Sequence, residues 1–511
     1  MFEFRASDIA KACEGELILG SQDALANSCY INSQDSVKDS MFAAFAGERA
    51  DGHDYLESAA KKGARVFLIS DGSRDFSFLD SETCAVILVS DVLLALQKLA
   101  NYQRSLMSCP VIGITGSSGK TSTKELLKGA LQANFDVTAS EGSYNNELGV
   151  PLTILRANKD TQVLVLEMGM RGLGQITELT DIAHPTMSII TTIGDAHIEM
   201  LGSRENIAKA KGEIFEALTK DQLAFMPADV DYGDYLRSIC KATLITSYVE
   251  NHVAQHLAVV EPATSELYKT FAGYTADITS YDPEGNASAL VKLPNGDVHN
   301  MKLEIPGEHS ISNALLALAA AQMLGIDAQA AIRGMEAVRP AEMRMQRCEV
   351  NNLPGISDVS ILVDCYNANP ESTEAALKTL SVSELGDPRT GLRIAVLGDM
   401  LEMGQHCAKV HKDILLLAGM LKIDLVYTFG KAYAGATKDV LKELSTGRSL
   451  EDIPEIRSFT DMNILISSLS AAVTTGSLIL VKGSRGMQME RVVKALNIDE
   501  DEKSTEGGRP W

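Results

Sequence analysis

The chain has 511 residues, of which 45% are hydrophobic, and a formal net charge of −22 at pH 7. This length suggests about three domains of roughly 100 to 200 residues each, with enough apolar residues for ordinary cores. The negative charge argues against nucleic acid as a partner, and no apolar run approaches the roughly 20 residues of a membrane span.

Residues 1–108 are predicted to form a small N-terminal α/β domain. Short apolar runs at 64–70 and 85–90 indicate strands, and helical periodicity predicts a helix over Val92–Ser105. The Cys109-Pro110 pair that follows is typical of a domain boundary. The chain shows no basic-plus-apolar leader, so a cytoplasmic protein is expected. Its eight cysteines lack C-x-x-C or zinc spacing and are predicted to be free, mostly buried thiols.

The segment Val111–Ser122 has the pattern of a nucleotide phosphate-binding loop. An apolar strand breaks into a glycine- and serine-rich turn ending in Gly119-Lys120-Thr121, and a helix is predicted from Thr121 to Ala133. Small residues let backbone N–H groups and the helix N-terminus face phosphate oxygens. Lys120 would reach the β- and γ-phosphates, and the Thr121 hydroxyl would hold Mg²⁺. The predicted nucleotide contacts here are Thr115, Gly116, Ser117, Ser118, Gly119, Lys120, Thr121 and Ser122.

Buried parallel strands are predicted at 162–167 and 187–193, and polar residues follow each of them. Ligands of open parallel sheets sit at the carboxyl ends of strands. Glu167 can therefore reach a Mg²⁺ held by Thr121, with a surface ion pair as the alternative. His197 is predicted as a second metal ligand, whereas a lone histidine is more often structural.

A helix predicted over Ser203–Lys220 places Lys211 among apolar residues. Its apolar stripe comprises Ile207, Ile214, Phe215 and Leu218. The residues predicted on its solvent side are Lys209, Glu213 and Glu216. Because an unpaired buried ammonium is costly, an inward lysine must be paired, neutral or chemically altered. The alternative is a lysine whose head reaches water.

Residues 109–338 are predicted to form a central ATP-binding domain with a parallel sheet. An antiparallel excursion is predicted between 250 and 305, and the helix Asn313–Leu324 closes the domain. Strands predicted at 361–365, 393–397, 425–429 and 478–481 indicate a C-terminal Rossmann-like, doubly wound sheet over 339–498. Residues 499–511 are predicted to be a flexible tail.

Polar segments end three of these C-terminal strands. They are Asp364–Pro370, Gly398–Gly404 and Lys482–Gly486. Together they predict a surface that faces a nucleotide and an anionic or zwitterionic substrate.

Seven segments together resemble the Mur ligase family of peptidoglycan precursor synthesis, over nearly the whole chain. They are GITGSSGKTST (113–123), YNNELGVPLTIL (144–155), EMGMRGLGQI (167–176), GDAHIEMLGSRENIAKAKGEIF (194–215), CYNANPEST (365–373), LGDMLEMG (397–404) and VKGSRGMQME (481–490). Ile114 stands where the common pattern G-x-x-x-x-G-K-[ST] has its first glycine, and this variant is a mark of the family.

The resemblance implies an ATP-dependent carbon–nitrogen ligase that forms ADP and phosphate. The NANP and KGSRG segments are similar to those of members that join D-alanyl-D-alanine to UDP-N-acetylmuramoyl-tripeptide through an acyl phosphate. The implied cofactors are ATP and Mg²⁺. A cytoplasmic monomer serving cell-wall biogenesis, cell shape and division is expected, with lysine or diaminopimelate as the third residue of the tripeptide.

The resemblance also implies roles for individual residues. Catalytic roles fall to Lys120, Lys211, His197 and Glu167, and metal contacts to Thr121, Glu167, His197 and a carbamylated Lys211. Further nucleotide contacts are Asn313, Arg344 and Asp364. The implied substrate contacts are Ser33, Gly47, Arg49, His53, Asn145, Asn146, Asn367, Asn369, Lys482, Ser484 and Arg485.

The chain departs from the family pattern at one tripeptide and two single positions, and three other functions stay open. Asn32-Ser33-Gln34 replaces Asp-Ser/Thr-Arg, and Ser143 and Ser310 stand where asparagine is common. Alternatives within enzymes are a folylpolyglutamate synthase-like ligase or another amino-acid-adding Mur ligase. A different class is a nucleotide-regulated binding protein that uses the loop as a switch.

Overall fold

Layers of helix and parallel sheet follow one another along the chain in the computed structural model, which describes residues 2–47, 50–251, 273–350, 353–444 and 454–497. These residues form sheets of two, five, nine and six strands. The predicted α/β class is therefore confirmed. No helix within the described ranges has the length and apolar character needed to cross a bilayer.

The N-terminal unit is built on the five-stranded sheet. Its strands are β1 Phe4–Arg5, β2 Glu16–Gly20, β3 Leu25–Ala26, β4 Cys29–Tyr30, β5 Ser40–Ala43, β6 Ala64–Ile69 and β7 Ala85–Leu88, and its helices are Ala6–Cys13, Leu56–Lys62 and Val92–Ser105. The sheet order is β2-β7-β6-β5-β4, with β2 antiparallel to β7 and the other pairs parallel, while β1 pairs with β3. The strands predicted at 64–70 and 85–90 and the helix Val92–Ser105 are confirmed.

The central unit carries the nine-stranded sheet. Its strands are β8 Val111–Thr115, β9 Val137–Ala139, β10 Val163–Glu167, β11 Met187–Ile190, β12 Leu223–Pro227, β13 Thr243–Asn251, β14 Tyr274–Tyr281, β15 Asn286–Lys292 and β16 Val298–Pro306. Its helices are Lys120–Leu131, Gly149–Arg156, Gln175–Ala183, Ile198–Leu201, Arg204–Glu216, Gly233–Ile239, Glu308–Met323 and Ala328–Glu336. The order is β16-β15-β14-β13-β12-β11-β8-β10-β9.

The register of the central sheet brings the predicted site segments to one edge. β8 runs parallel to both β10 and β11, and Glu167 pairs with Ile114 while Ile190 pairs with Thr115. The loops after these strands therefore open side by side. The predicted antiparallel excursion is confirmed for β14, β15 and β16, although β13 and β14 pair in parallel and continue the same sheet.

The C-terminal unit is a six-stranded sheet. Its strands are β17 Gln346–Glu349, β18 Ser360–Asp364, β19 Arg393–Gly398, β20 Leu425–Phe429, β21 Glu455–Phe459 and β22 Leu478–Lys482. Its helices are Pro370–Val382, Cys407–Met420, Lys431–Leu444, Met462–Ala472 and Glu490–Leu496. The order β17-β18-β22-β19-β20-β21 is parallel except at β17. The predicted doubly wound sheet thus gains β17 and β21, which the sequence did not indicate.

The helix Val92–Ser105 fastens the N-terminal unit to the central one through two buried polar side chains. The amide of Gln103 is fully buried and donates to the carbonyls of Ile154 and Ala157, each at 2.7 Å. The guanidinium of Arg104 donates to three further carbonyls. These belong to Met107, Ala183 and His184. Satisfied buried polar groups of this kind hold two bodies in one arrangement.

Three predictions of local structure need correction. The helix predicted over Asn313–Leu324 begins earlier, at Glu308. Glu213, expected on the solvent side, is buried because it accepts hydrogen bonds from Gly174 N and Thr177 N at the start of the neighbouring helix Gln175–Ala183. All eight cysteines are free, yet four are buried and four only partly so, rather than mostly buried. The predicted tail 499–511 lies outside the described residues.

Candidate active site

A cavity of about 830 Å³ lies where the central and C-terminal units meet, and it collects most of the predicted site residues. The predicted residues that line it are Ser117, Ser118, Gly119, Lys120, Thr121, Ser122, Asn145, Asn146, Glu167, His197, Lys211, Asn313, Arg344, Asp364, Asn367, Asn369 and Lys482. The N-terminal unit reaches this cavity through Ile31. The site is therefore shared between domains, as ligand sites of α/β proteins often are.

The phosphate loop is held in shape by the loop after strand β11 and by the helix Glu308–Met323. Gly119 has a φ of +83°, and a Cβ there would lie 2.7 Å from Asn313 Oδ1, so a glycine is required. Ser117 N donates to the carbonyl of Thr192 and Ser118 N to its hydroxyl, both at 2.9 Å. The N–H groups of the first helical turn, which begins at Lys120, face the same loop and are available to an anion.

Lys120 is folded back on its own loop. Its Nζ donates to the carbonyl of Gly116 at 2.8 Å. Burial lowers the pKa of the Lys120 ammonium, with Glu167 opposing that effect and Arg344 adding to it. A lysine held on a neutral carbonyl can transfer that hydrogen bond to a phosphate oxygen when one arrives.

A hydroxyl and a carboxylate meet beside the loop. The Thr121 hydroxyl donates to Glu167 Oε2, and Asn145 Nδ2 donates to Glu167 Oε1, each at 2.8 Å. Glu167 is 1% exposed, and its backbone N–H donates to the Ser140 hydroxyl. Hard oxygen donors next to a phosphate loop suit Mg²⁺, which is usually bound by one or two carboxylates plus phosphates.

Lys211 and His197 face the same cavity from the neighbouring loop and helix. Lys211 is 2% exposed, so its predicted inward position is confirmed. Burial, reinforced by the charge of Lys120, holds the pKa of Lys211 well below its usual value. Across the part of the chain that the structure describes, the Lys211 amine has no hydrogen-bond or ion-pair partner. Its surroundings therefore favour the neutral amine over the ammonium.

The C-terminal side of the cavity is charged but internally paired. Lys482 is 2% exposed and donates to Asp364 Oδ2 at 2.6 Å and to the carbonyl of Asn367 at 3.1 Å. Arg344 lies over the ring of Tyr366, 4.2 Å from its centroid. A flat guanidinium on an aromatic face leaves its edge free for a ligand.

Polar contacts join the central and C-terminal units around the cavity. Asn369 Nδ2 donates to the carbonyl of Ser117 at 3.3 Å. Glu371 accepts from Asp195 N at 2.8 Å and from Arg204 at 2.7 Å, and Arg204 also pairs with Asp195. The two units therefore close on each other over the phosphate loop.

Several predicted residues do not line the cavity. Ser33 is buried in its own domain, and His53 accepts from Ser70 N while its other nitrogen lies 2.6 Å from Asp51. The hydroxyl of Ser484 is engaged by Leu401 N and Ala368 O, and Arg485 lies against Met343 and Glu490. Thr115, Gly116 and Gly47 also lie off the cavity wall, and Arg49 lies outside the described residues.

Sequence reasoning missed four residues that the structure places at or beside the site. Arg171, Tyr366 and His309 line the cavity, and Glu402 lies 2.6 Å from His197. Arg171, Tyr366 and Glu402 belong to three of the segments that resemble the family. Nothing in the periodicity or spacing of those segments marks these three residues as site residues. Burial lowers the pKa of His309.

The donor set fits a metal that nucleotide phosphates help to hold. Within the described residues no three His, Cys, Asp or Glu side chains cluster as a self-sufficient metal site. Thr121 and Glu167 would supply oxygens at one position and His197 a nitrogen at another, and phosphates would supply further oxygens to both. Such a mixed set fits Mg²⁺ and not a structural zinc site.

Known proteins match this chain over most of its length. Family models match it at three stretches: "Mur ligase family, catalytic domain" at 27–104, "Mur ligase middle domain" at 114–321, and "Mur ligase, glutamate ligase domain" at 343–485. A protein of Bacillus subtilis (strain 168) named UDP-N-acetylmuramoyl-tripeptide--D-alanyl-D-alanine ligase is 32% identical over 456 residues, covering 89% of this chain and 90% of the relative. A protein of the same name from Escherichia coli (strain K12) is 31% identical over 462 residues, covering 89% and 90%.

Solved structures agree with these relatives. A crystal structure of MurF from Acinetobacter baumannii superposes with a TM-score of 0.77 at 25% identity, covering 97% of this chain and 98% of that one. The MurF ligase from Thermotoga maritima in complex with ADP superposes with a TM-score of 0.71 at 25% identity, covering 92% and 96%. A phosphate loop enclosed by two contacting α/β domains, together with these matches, defines an ATP-dependent ligase. The chain belongs to the Mur ligase family.

Proposed function

We propose that this chain joins D-alanyl-D-alanine to UDP-N-acetylmuramoyl-tripeptide at the expense of ATP, in the synthesis of the peptidoglycan precursor. The relatives that match about nine-tenths of the chain carry the name of this activity. The observation that carries the proposal is the shared cavity, where the phosphate loop and the Thr121–Glu167 pair face the C-terminal strand ends. A cytoplasmic monomer is part of the proposal.

The reaction has two steps, and the cavity supplies groups for both. A carboxylate oxygen of the tripeptide attacks the γ-phosphorus of ATP, and ADP leaves with the bridging electron pair. The amine nitrogen of the dipeptide then attacks the acyl carbon, phosphate leaves, and the nitrogen gives up a proton. Lys120 and the first-turn N–H groups offset the negative charge on the phosphoryl group. Contact between the central and C-terminal units excludes water from the acyl phosphate.

We propose Mg²⁺ as the metal, with Thr121 and Glu167 at one position and His197 and Lys211 at another. The bound metal would neutralise phosphate charge. In its neutral form, a buried lysine amine can add its nitrogen to the carbon of CO₂ and release a proton, which leaves a carbamate anion. The carbamate of Lys211 would offer oxygen atoms as metal ligands, which the free amine does not.

The remaining assignments rest on the resemblance to the family, and the first two groups of residues also line the cavity. Asn313, Arg344 and Asp364 are proposed to contact the nucleotide. Asn145, Asn146, Asn367, Asn369 and Lys482 are proposed to contact the muramoyl-peptide or the dipeptide. We also propose domain boundaries at 1–108, 109–338 and 339–498. The N-terminal domain is proposed to contact the uridine through Ser33, Gly47, Arg49 and His53. Ser484 and Arg485 are proposed as further substrate contacts.

The experiment is a phosphate-release assay with two UDP-muramoyl-tripeptides side by side, one carrying lysine and one diaminopimelate. Release that requires both a tripeptide and D-alanyl-D-alanine is expected, and mass spectrometry should show the pentapeptide product. Lys120→Ala should lower this rate by about 10²-fold or more. Release with folate and glutamate instead, or undiminished product formation by Lys120→Ala, would reject the proposal.

A further inference from the structure

The cavity histidine touches a carboxylate from the opposite domain. Nδ1 of His197, in the central unit, lies 2.6 Å from Oε2 of Glu402, in the loop after strand β19. Because an ionised carboxylate can only accept, Nδ1 carries the proton and Nε2 holds the lone pair. Within the described residues Nε2 has no hydrogen-bond partner, and His197 lines the cavity.

Backbone contacts fix this meeting point. The N–H of Glu199 donates to the carbonyl of Glu402 at 3.1 Å. His197 and Glu402 both adopt left-handed backbone conformations, with φ of +64° and +61°. A Cβ on Gly404 would lie 3.2 Å from the Glu199 Cα, so the two chains approach closely here. Uncommon backbone conformations in non-glycine residues persist where the surroundings hold them, often at functional sites.

A histidine that ligates a metal through one ring nitrogen usually donates its other N–H to a carboxylate or carbonyl. That second contact fixes the tautomer and ring orientation and makes the ligating nitrogen more basic. His197 and Glu402 have this arrangement, but the two residues belong to different domains. The contact between His197 and Glu402 therefore exists only while the central and C-terminal units touch.

We propose that Glu402 is a positioning residue for His197, which it orients for metal binding only when the C-terminal domain closes. This inference rests on the proposed function for the role of the metal. It makes completion of the second metal position depend on closure, so that phosphoryl transfer is held back while the cleft is open.

The test measures binding of Mn²⁺, as a visible substitute for Mg²⁺, by electron paramagnetic resonance with a non-hydrolysable ATP analogue present. Glu402→Ala should weaken the second Mn²⁺ equivalent by about 10- to 100-fold, the usual effect of losing such a partner. Glu402→Gln, whose amide oxygen can still accept from Nδ1–H, should lose less than Glu402→Ala. Melting temperatures of both variants show whether they fold, and Glu402→Gln carries the test if the alanine variant does not.

A matched control and a double substitution separate positioning from general structure. Glu374→Ala removes a carboxylate of the same domain that pairs with Lys378 on the surface, and it should leave Mn²⁺ affinity unchanged. In a His197→Ala background, Glu402→Ala should cause no further loss, because its effect passes through the imidazole. Unchanged Mn²⁺ affinity in Glu402→Ala, or an equal further loss without His197, would overturn the inference.

Binding of Mn²⁺ can be measured without any catalytic turnover. If the wild-type chain bound two Mn²⁺ ions but formed no pentapeptide product, the proposed function would fail while the Glu402 result remained readable. If product formed normally and Glu402→Ala still bound both ions as wild type does, only the inference about Glu402 would fail.

Discussion

Lys211 is the residue whose chemical state is most narrowly set by its surroundings. It is almost fully buried, its pKa is held well below the usual value, and the charge that acts on it is that of another cation, Lys120. A permanent ammonium at Lys211 would carry the free-energy cost of desolvation, and no opposite charge would offset that cost. A neutral amine avoids that cost and is a nucleophile for CO₂.

Lys211→Ala should therefore lower the ligase rate by about 10²-fold or more, the range seen when one group that stabilises the transition state is lost. Short carboxylic acids such as acetate should restore part of the rate by standing in for the carbamate. The measurement is the phosphate-release rate with and without added acid.

Lys209→Ala is the matched control, because Lys209 lies on the same helix and pairs with Glu205 at the surface. Its rate should equal that of the wild type. Full activity of Lys211→Ala without acid would rule out a carbamate in catalysis.

Single residues also show where sequence reasoning stops. The inward position of Lys211 followed from helical periodicity, a local property of the chain. Glu213, two residues on, was misplaced because its acceptor role is set by Gly174 and Thr177, some 36 to 39 residues away. Glu402 was missed for the same reason, since its partner His197 is 205 residues distant.

At the scale of elements, the helix that follows the phosphate loop depends on a close crossing with the helix Ala328–Glu336. A Cβ on Gly334 would collide with the carbonyl of Gly129, and a Cβ on Gly129 would lie 2.7 Å from the carbonyl of Gly334. These contacts involve backbone, which cannot move aside as a flexible side chain can. The pair of glycines sets how near the two helices lie.

Gly334→Ala should destabilise the fold by about 1–3 kcal/mol, the usual cost of overpacking. Gly435→Ala is a matched control in the helix Lys431–Leu444, where an added Cβ meets nothing within 4 Å. It should be neutral or stabilising by about 0.4–1 kcal/mol. Urea unfolding measures both, and equal effects of the two substitutions would contradict this account of the crossing.

Apolar strands were predictable and polar edge strands were not. Strands β8, β10, β18 and β22 are continuous apolar runs, since parallel strands are buried on both faces. β17 reads Gln-Arg-Cys-Glu and β21 reads Glu-Ile-Arg-Ser-Phe, and both lie at sheet edges. Edge strands tolerate charge, so only the neighbouring strand reveals them.

For the whole molecule, the two domain junctions differ in kind. The N-terminal unit is held by buried donors on the helix Val92–Ser105, whereas the C-terminal unit is held by partly exposed ion pairs and single hydrogen bonds. Exposed polar contacts exchange readily with water. The C-terminal unit is therefore the one expected to move when ligands enter and leave.

Arg204→Gln should shift this equilibrium toward the open form. The substitution removes the guanidinium that joins Asp195 and Asp231 to Glu371 of the C-terminal unit. A partly exposed ion pair such as Arg204–Glu371 contributes about 0.2–1 kcal/mol, so its loss should lower the ratio of closed to open molecules by up to about fivefold. Small-angle scattering without ligands should show a larger radius of gyration.

Arg156→Gln serves as the control, because Arg156 pairs with Glu141 within the central unit. Its scattering curve should match that of the wild type. An unchanged radius of gyration for Arg204→Gln would mean that these ion pairs do not hold the domains together.

The fastening of the N-terminal unit has a consequence for how the protein tolerates evolutionary change. Gln103 and Arg104 donate to main-chain carbonyls of the central unit and its linker, and to no side chain there. A carbonyl is present whichever amino acid occupies a position. Substitutions at Ile154, Ala157, Ala183 and His184 therefore preserve the acceptors, whereas an insertion or deletion in those turns would move them. For these hydrogen bonds, the structure constrains the length of the turns more than the identity of the residues that carry the carbonyls.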